Sequence, residues 1–239
     1  MAIIYSNAVD GYIHKSNQST WANARDASNG TVVQGTSTLD GVSAETWPLR
    51  SGGYDFDVSR AFFYFDVSGV SVLPTSATLN IYGRSFTDGD FFAVKSNGFT
   101  GGIDAGLGAP TLDGDDFNAI VGWHTGDNTN NVTKYSDLIE SWGNGYQTIT
   151  LTTAALEDMR DDNSLKICLV NAKYDLTDVS PTGHPSNGMY FANYTGTSRD
   201  PYIQWSAGWA QEKMNGITSG NIQKINGIER SNIEKVNGV

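Results

Sequence analysis

The sequence predicts an all-β fold: a two-sheet antiparallel jelly-roll sandwich with one or two short helices, followed by a C-terminal repeat tail. Three observations lead there. Short apolar runs alternate with polar residues at a period of two, the spacing of strands with one buried face. Glycine is abundant, at 27 of 239 residues, and among the acids of residues 1–208 only Glu45, Glu140 and Glu157 are not aspartate. Both biases suit turns, Asp because its short side chain bonds nearby backbone. Finally, Ser59–Gly83 (SRAFFYFDVSGVSVLPTSATLNIYG) reads as two strands around a turn-rich loop. Phe63, Phe65 and Val67 alternate with Tyr64 and Asp66, and Ala77, Leu79 and Ile81 with Thr78, Asn80 and Tyr82. Pro74 lacks a backbone donor, so the ladder breaks between them. A strand pair this apolar on one face needs a second layer, and the rest of the chain must supply it.

The elements follow in order. A first strand runs through Tyr5–His14, with Ile3, Tyr5, Val9 and Tyr12 as candidate core or interface residues. Residues 16–30 are polar and carry Trp21, and Thr31–Val33 is a short strand. Thr36–Arg50 holds turn signals at Asp40-Gly41 and Pro48. Phe91–Val94 is a strand, and residues 97–118 form a long Gly- and Asp-rich loop, the kind that often makes functional contacts. Ala119–Trp123 resumes a strand. Tyr135–Trp142 reads as a short helix stopped by Gly143 and Gly145. Tyr146–Leu151 alternates as a strand. Thr152 or Thr153 caps a second helix over Ala154–Arg160. Leu165–Asn171, Gly188–Tyr194 and Tyr202–Trp205 complete about ten strands, which close most readily as two packed sheets.

The Arg-aromatic-x-aromatic-Phe-Asp-Val strand, the Pro loop and Ser-Ala-Thr-Leu-x-Ile-Tyr resemble the DNRLRE-type domains, jelly-roll modules related to carbohydrate-binding modules. Tyr135–Gly145 (YSDLIESWGNG) and Asp200–Trp205 (DPYIQW) fit the same resemblance, which covers residues 1–206. It implies a non-catalytic module on a secreted or surface protein, glycan contact and, as in many such modules, a structural calcium.

The chain carries a formal charge of −11, and it is uneven: residues 1–208 hold 11 Lys/Arg against 23 Asp/Glu, residues 209–239 hold 4 against 3. An acidic body repels phosphate backbones, which argues against nucleic acid. No stretch approaches the roughly 20 apolar residues of a membrane helix, so no membrane insertion is expected. MAIIYSNAVDGY lacks the basic and apolar regions of a signal peptide, which points to synthesis in a host cytoplasm. The single Cys168 sits in an apolar run and reads as a small buried hydrophobe.

Catalysis finds no support in the motifs. His14, His124 and His184 are scattered, and neither a Gly-x-Ser-x-Gly elbow nor a His-Glu-x-x-His helix is present. An acid pair of the glycosidase kind cannot be singled out among so many turn aspartates. The chain is therefore expected not to be an enzyme. Asp113, Asp115 and Asp116 cluster hard oxygens in the long loop and are the candidate calcium ligands, beside Asp88-Gly89-Asp90. They are no EF-hand, because the twelfth position from Asp113 is His124. Trp21, Trp47 and Trp123 lie in or beside loops and are the candidate sugar contacts.

The tail, residues 209–239, repeats every 11 residues: Lys213, Lys224 and Lys235 recur, each followed two residues later by Asn-Gly. Asn-Gly favours positive φ, so each unit is either a helical turn stopped there or a tight β-turn. Met214, Ile217, Ile222, Ile225, Ile228, Ile233, Val236 and Val239 cannot bury themselves within so short a unit and are the candidate assembly interface. The Lys-Ile-Asn-Gly-Ile units resemble terminal segments of phage virion proteins. That resemblance implies a virion surface protein, of capsid-decoration, head-fibre or tail-fibre type, joining a homo-oligomer (a trimer is favoured) or other virion proteins through the tail. The alternative is a carbohydrate-binding module of a secreted glycan-active protein.

Overall fold

The computed structural model describes residues 1–34, 40–49, 52–87, 90–126, 131–183, 186–191 and 198–207, with 213–214, 217–218, 224–225 and 228–229 in the tail. The fold is all-β, and every pairing among the described strands is antiparallel. The strands are β1 (Ala2–Tyr5), β2 (Gly11–Gln18), β3 (Thr31–Gln34), β4 (Asp40–Pro48), β5 (Tyr54–Asp66), β6 (Ser76–Thr87), β7 (Phe91–Lys95), β8 (Ile103–Asp104), β9 (Ala109–Pro110), β10 (Gly145–Thr150), β11 (Ser164–Asn171), β12 (Ser186–Phe191) and β13 (Tyr202–Ser206). Helix α1 spans Trp21–Arg25 and α2 spans Thr153–Asp161.

Two long strands organise the body, and they are not neighbours. The main sheet runs β1-β13-β6-β12-β4-β5-β11-β7. Along β5, Val58 pairs with Ala44 and Lys15, while Ala61 pairs with Leu169 and Tyr12. Strands β4 and β11 thus share one edge of β5, one along each half, and β2 takes the other edge. Strand β6 forks likewise: β13 and then β12 follow one edge, and β10 the other. The expected pairing within Ser59–Gly83 is therefore corrected. Its two strands do not bond side by side: β12 and β4 lie between them in the sheet order, and their inward residues join one core.

The inward residues of these strands make the first core. Phe63, Phe65, Ile167 and Leu169 meet Leu79, Ile81, Ile149 and Ile203, with Ala155 and Met159 of α2 at one end. Strand β5 is also buried on its reverse side, contrary to the half-buried reading. Val58, Phe62, Cys168 and Val170 pack there against Trp21 and Ala24 of α1 and against Phe99, Leu112, Phe117 and Ile120. The long loop is thus a covering layer, which explains why the run Ala61–Phe65 is almost continuously apolar. Cys168 lies inside this second core, where burial pushes its thiol up.

A buried polar knot fastens that layer. Arg60 on β5 donates to both Asp175 oxygens (2.8 Å each), to the Phe117 carbonyl (2.7 Å), to Asn118 Oδ1 (2.6 Å) and to the Arg25 carbonyl (2.9 Å). Its guanidinium also lies 4.1 Å from the ring centroids of Phe117 and Trp123. All five N–H donors are used, the condition under which a buried charge is tolerated.

Three local expectations change. Residues 135–142 are irregular rather than helical, with bends at 135–137: Phe91 bridges Ile139 and Val94 bridges Lys134, because the open edge of β7 recruits the segment's backbone. Ala119–Trp123 is a turn with one bridge, Ser96 to Ile120, and Gly122 at φ 82° ends it. Residues 16–30 contain α1, capped where Thr20 accepts from the Asn23 amide at 3.2 Å. Helix α2 follows expectation, although the Thr152 hydroxyl donates to the Lys134 carbonyl (2.9 Å) instead of capping it.

In the tail, Lys213–Met214 (β14) pairs with Ile217–Thr218 (β15), and Lys224–Ile225 (β16) with Ile228–Glu229 (β17). Met214 opposes Ile217 and Ile225 opposes Ile228, so each pair encloses an Asn-Gly dipeptide. That is the hairpin form of the repeat and not the helical one. Ile222, Ile233, Val236 and Val239 lie outside the described residues.

Candidate ligand-binding face

The three candidate tryptophans do not share a surface. Trp21 is buried, donates from Nε1 to Asp178 at 2.9 Å and meets Phe56 edge-on. Trp123 is half-buried, with the guanidiniums of Arg25 and Arg60 at 4.5 and 4.1 Å from its centroid. Only Trp47 opens to solvent, at 52% exposure on the β4–β5 hairpin.

Beside Trp47, Glu45 and Asp57 oppose each other across β4 and β5, and Trp47 opposes Asp55. Burial first, then the charge of Asp57, pushes the Glu45 carboxyl up against hydrogen bonds from Ser43 and Trp47. Asp57 is also pushed up by burial and by Asp55, against the Asn17 amide (2.6 Å) and His14. The folded protein therefore holds these protons more tightly than the unfolded chain does. Their stabilising share is complete below ordinary carboxylate values, at about pH 4, and is lost as pH rises through the raised folded values. Glu45→Gln and Asp57→Asn should flatten the fall of Tm towards neutrality. An unchanged slope in both variants would contradict this placement.

The aspartates of the long loop are engaged in its own backbone. Asp113 caps the 3₁₀ turn Gly114–Asn118, accepting from the Asp115 amide at 3.2 Å. Asp116 is buried and accepts from the amides of Phe99 (2.8 Å), Thr100 (3.1 Å) and Asp113 (2.9 Å) and from the Thr100 hydroxyl (2.7 Å). Among the described residues no group of three His, Cys, Asp or Glu is arranged to hold a metal ion. Asp88 and Gly89 lie outside the described residues.

A further candidate surface is assembled by strand register. Strands β1, β13, β6 and β10 turn Tyr5, Tyr202, Tyr82 and Tyr146 away from the core, opposite Ile4, Ile203, Ile81 and Ile149 on the inward face. Register places Tyr5 across from Tyr202 and Tyr82 across from Tyr146. The rings form a chain: Tyr5 to Tyr202 at 5.9 Å, Tyr202 to Tyr146 at 5.2 Å, Tyr146 to Tyr82 at 5.4 Å. Arg199 closes one end, 4.8 Å from the Tyr82 centroid. Such ring contacts contribute about 0.5–1.5 kcal/mol each beyond area, so they hold the cluster in shape.

Polar groups lie along the cluster. Asn80, almost fully buried, donates to Thr78 Oγ1 (3.1 Å) and the Thr78 carbonyl (3.2 Å) and accepts from the Thr148 hydroxyl (2.9 Å). The Tyr146 hydroxyl, pushed up chiefly by burial, donates to the carbonyls of Ser198 (2.9 Å) and Asp200 (3.1 Å). Tyr5 and Tyr146 remain 58% and 39% exposed. A row of amphipathic rings, exposed at Tyr5 and Tyr146, can stack against a ligand's apolar faces.

No known protein family and no curated protein matches this chain. Its function rests on the site itself. No helix among the described residues is long and apolar enough to cross a membrane.

Proposed function

We propose that this chain is a non-catalytic structural protein of a bacteriophage particle. It is displayed on the virion surface, its body binds glycan, and its tail repeats join copies to one another or to other virion proteins. We read the body as a jelly-roll sandwich, supported by the antiparallel order of its strands and by the core that β5 and β6 share although they are not paired. The observation that carries glycan binding is the four-tyrosine row on the outer face of β1, β13, β6 and β10. The tail's part rests on its 11-residue repeat and its resemblance to virion proteins.

The test is a polysaccharide array probed with the full chain and with Tyr5→Ala and Tyr146→Ala, both at exposed ring positions. The expected result is retention on at least one polysaccharide, weakened at least tenfold in each variant while the far-ultraviolet spectrum stays that of the folded chain; Tyr146→Ala, which gives up two ring contacts and its hydroxyl's hydrogen bonds, also lowers Tm. The same polysaccharides, incubated with the protein, should show no new reducing ends. Binding to nothing on the array, or binding indifferent to both substitutions, would remove the glycan reading.

A further inference from the structure

From the spacing of the tail hairpins we infer that each tail is covered by the tail of a second copy, matched to it in whole 11-residue steps. The inference rests on the reading that the tail joins copies of this chain. The ribbons β14–β15 and β16–β17 begin 11 residues apart, at Lys213 and Lys224, and share one register. Lys213 opposes Thr218 as Lys224 opposes Glu229, and Met214 opposes Ile217 as Ile225 opposes Ile228. Alternation puts the paired apolar positions on one face of each ribbon and the paired polar positions on the other. Among the described residues each ribbon is a sheet of its own, paired neither with the other ribbon nor with the body. An apolar face is thus repeated at a fixed step, and one unit of it is too small to persist alone.

The spacing restricts what can cover it. Lys235-Val236-Asn237-Gly238-Val239 repeats the pattern a third time, and residues 219–223 and 230–234 separate the units by equal spacers of five residues. Two tails set every apolar unit against another only when level or shifted by a whole repeat. At any other offset the units meet spacers (SGNIQ and RSNIE) that are mostly polar. Charge points to the same partner. The body holds 23 acidic against 11 basic residues, whereas the tail holds 3 against 4. Acidic bodies repel one another, so copies gather where that charge is absent, and a strongly charged partner finds little to hold in a nearly neutral tail.

Competition for assembly with the labelled full chain tests the step. One variant lacks Lys224–Glu234, a whole repeat, and keeps two units in step. The other lacks both spacers, Ser219–Gln223 and Arg230–Glu234, and keeps all three units out of step. Both changes lie beyond β13. The whole-repeat variant should compete within about tenfold of the unlabelled full chain, and the spacer variant at least tenfold more weakly than that, although it retains more apolar units. In the full chain, Ile225→Asp with Ile228→Asp should weaken assembly, and Lys224→Gln with Glu229→Gln should not. Equal or stronger competition by the spacer variant, or assembly lost only with the polar pair, would overturn the matched step. If the full chain alone is an oligomer, such a result sinks the step and spares the tail's role. A full chain that stays monomeric sinks both.

Discussion

Replacing Arg60 by Met is expected to destabilise the protein by about 3–5 kcal/mol, enough to unfold many domains at ordinary temperature. Arg60 and Asp175 are both fully buried and bond through two parallel contacts of 2.8 Å. Removing the guanidinium takes from the buried Asp175 carboxylate the cation that bonds both its oxygens, and takes a donor from the carbonyls of Phe117 and Arg25. Arg60→Lys should recover little, because an ammonium cannot reproduce the fork or stack between two rings. Arg60→Met combined with Asp175→Leu should be much less damaging than Arg60→Met alone, since no charge is left unpaired. Urea denaturation of the four proteins checks this. Equal losses in the single and double variants would show that the charge pair is not what fastens the loop layer.

Ending the chain after Ser206 is expected to leave a folded body that no longer assembles. Ser206 still closes the body, accepting from the Thr75 amide at 3.0 Å, so the cut spares β13. The segment removed contains hairpins whose strands are two residues long. Such ribbons are marginal at best in isolation. Their apolar residues recur too regularly for a solvated linker and are best covered by other copies of the same repeat. Light scattering of the full chain and the 1–206 fragment reads this out. A fragment that assembles like the full chain, or a full chain that stays monomeric, would contradict the tail's role.

Element type was largely legible, and neighbour relations were not. Alternation correctly marked Leu79 and Ile81 as inward and Tyr82 as outward, because side chains in a strand alternate strictly. It could not show that β5 and β6 are separated by β12 and β4, since those partners come from distant segments. Strand β5 looked half-buried because Tyr64 and Asp66 punctuate it. The cover over Phe62 comes from residues 99–120, which composition marks only as a Gly-rich loop. Tyr135–Trp142 carries helical spacing, but an unpaired strand edge overrode that propensity. The aspartates of the loop signalled turns first and metal ligands second, and Asp116 accepts from three backbone amides.

The candidate site divides in the same way. Tryptophan drew attention by type, although two of the three serve the interior. Alternation set only Tyr82 opposite the apolar positions and left Tyr5 a candidate core or interface residue; the register Tyr5–Tyr202 and Tyr82–Tyr146 is what gathers the four. A rule to search for tyrosines opposite the inward aliphatics on paired strands would find them once the pairing is known.

One measurement joins the two halves of the account: loss of the protein from a surface of immobilised neutral polysaccharide, comparing the full chain with residues 1–206. If the body binds glycan and the tail gathers bodies together, both proteins bind, and the full chain is held roughly 10²–10⁴ times more tightly through multivalency. Equal retention of the two would contradict assembly through the tail. Retention of neither would contradict the tyrosine face as a glycan site.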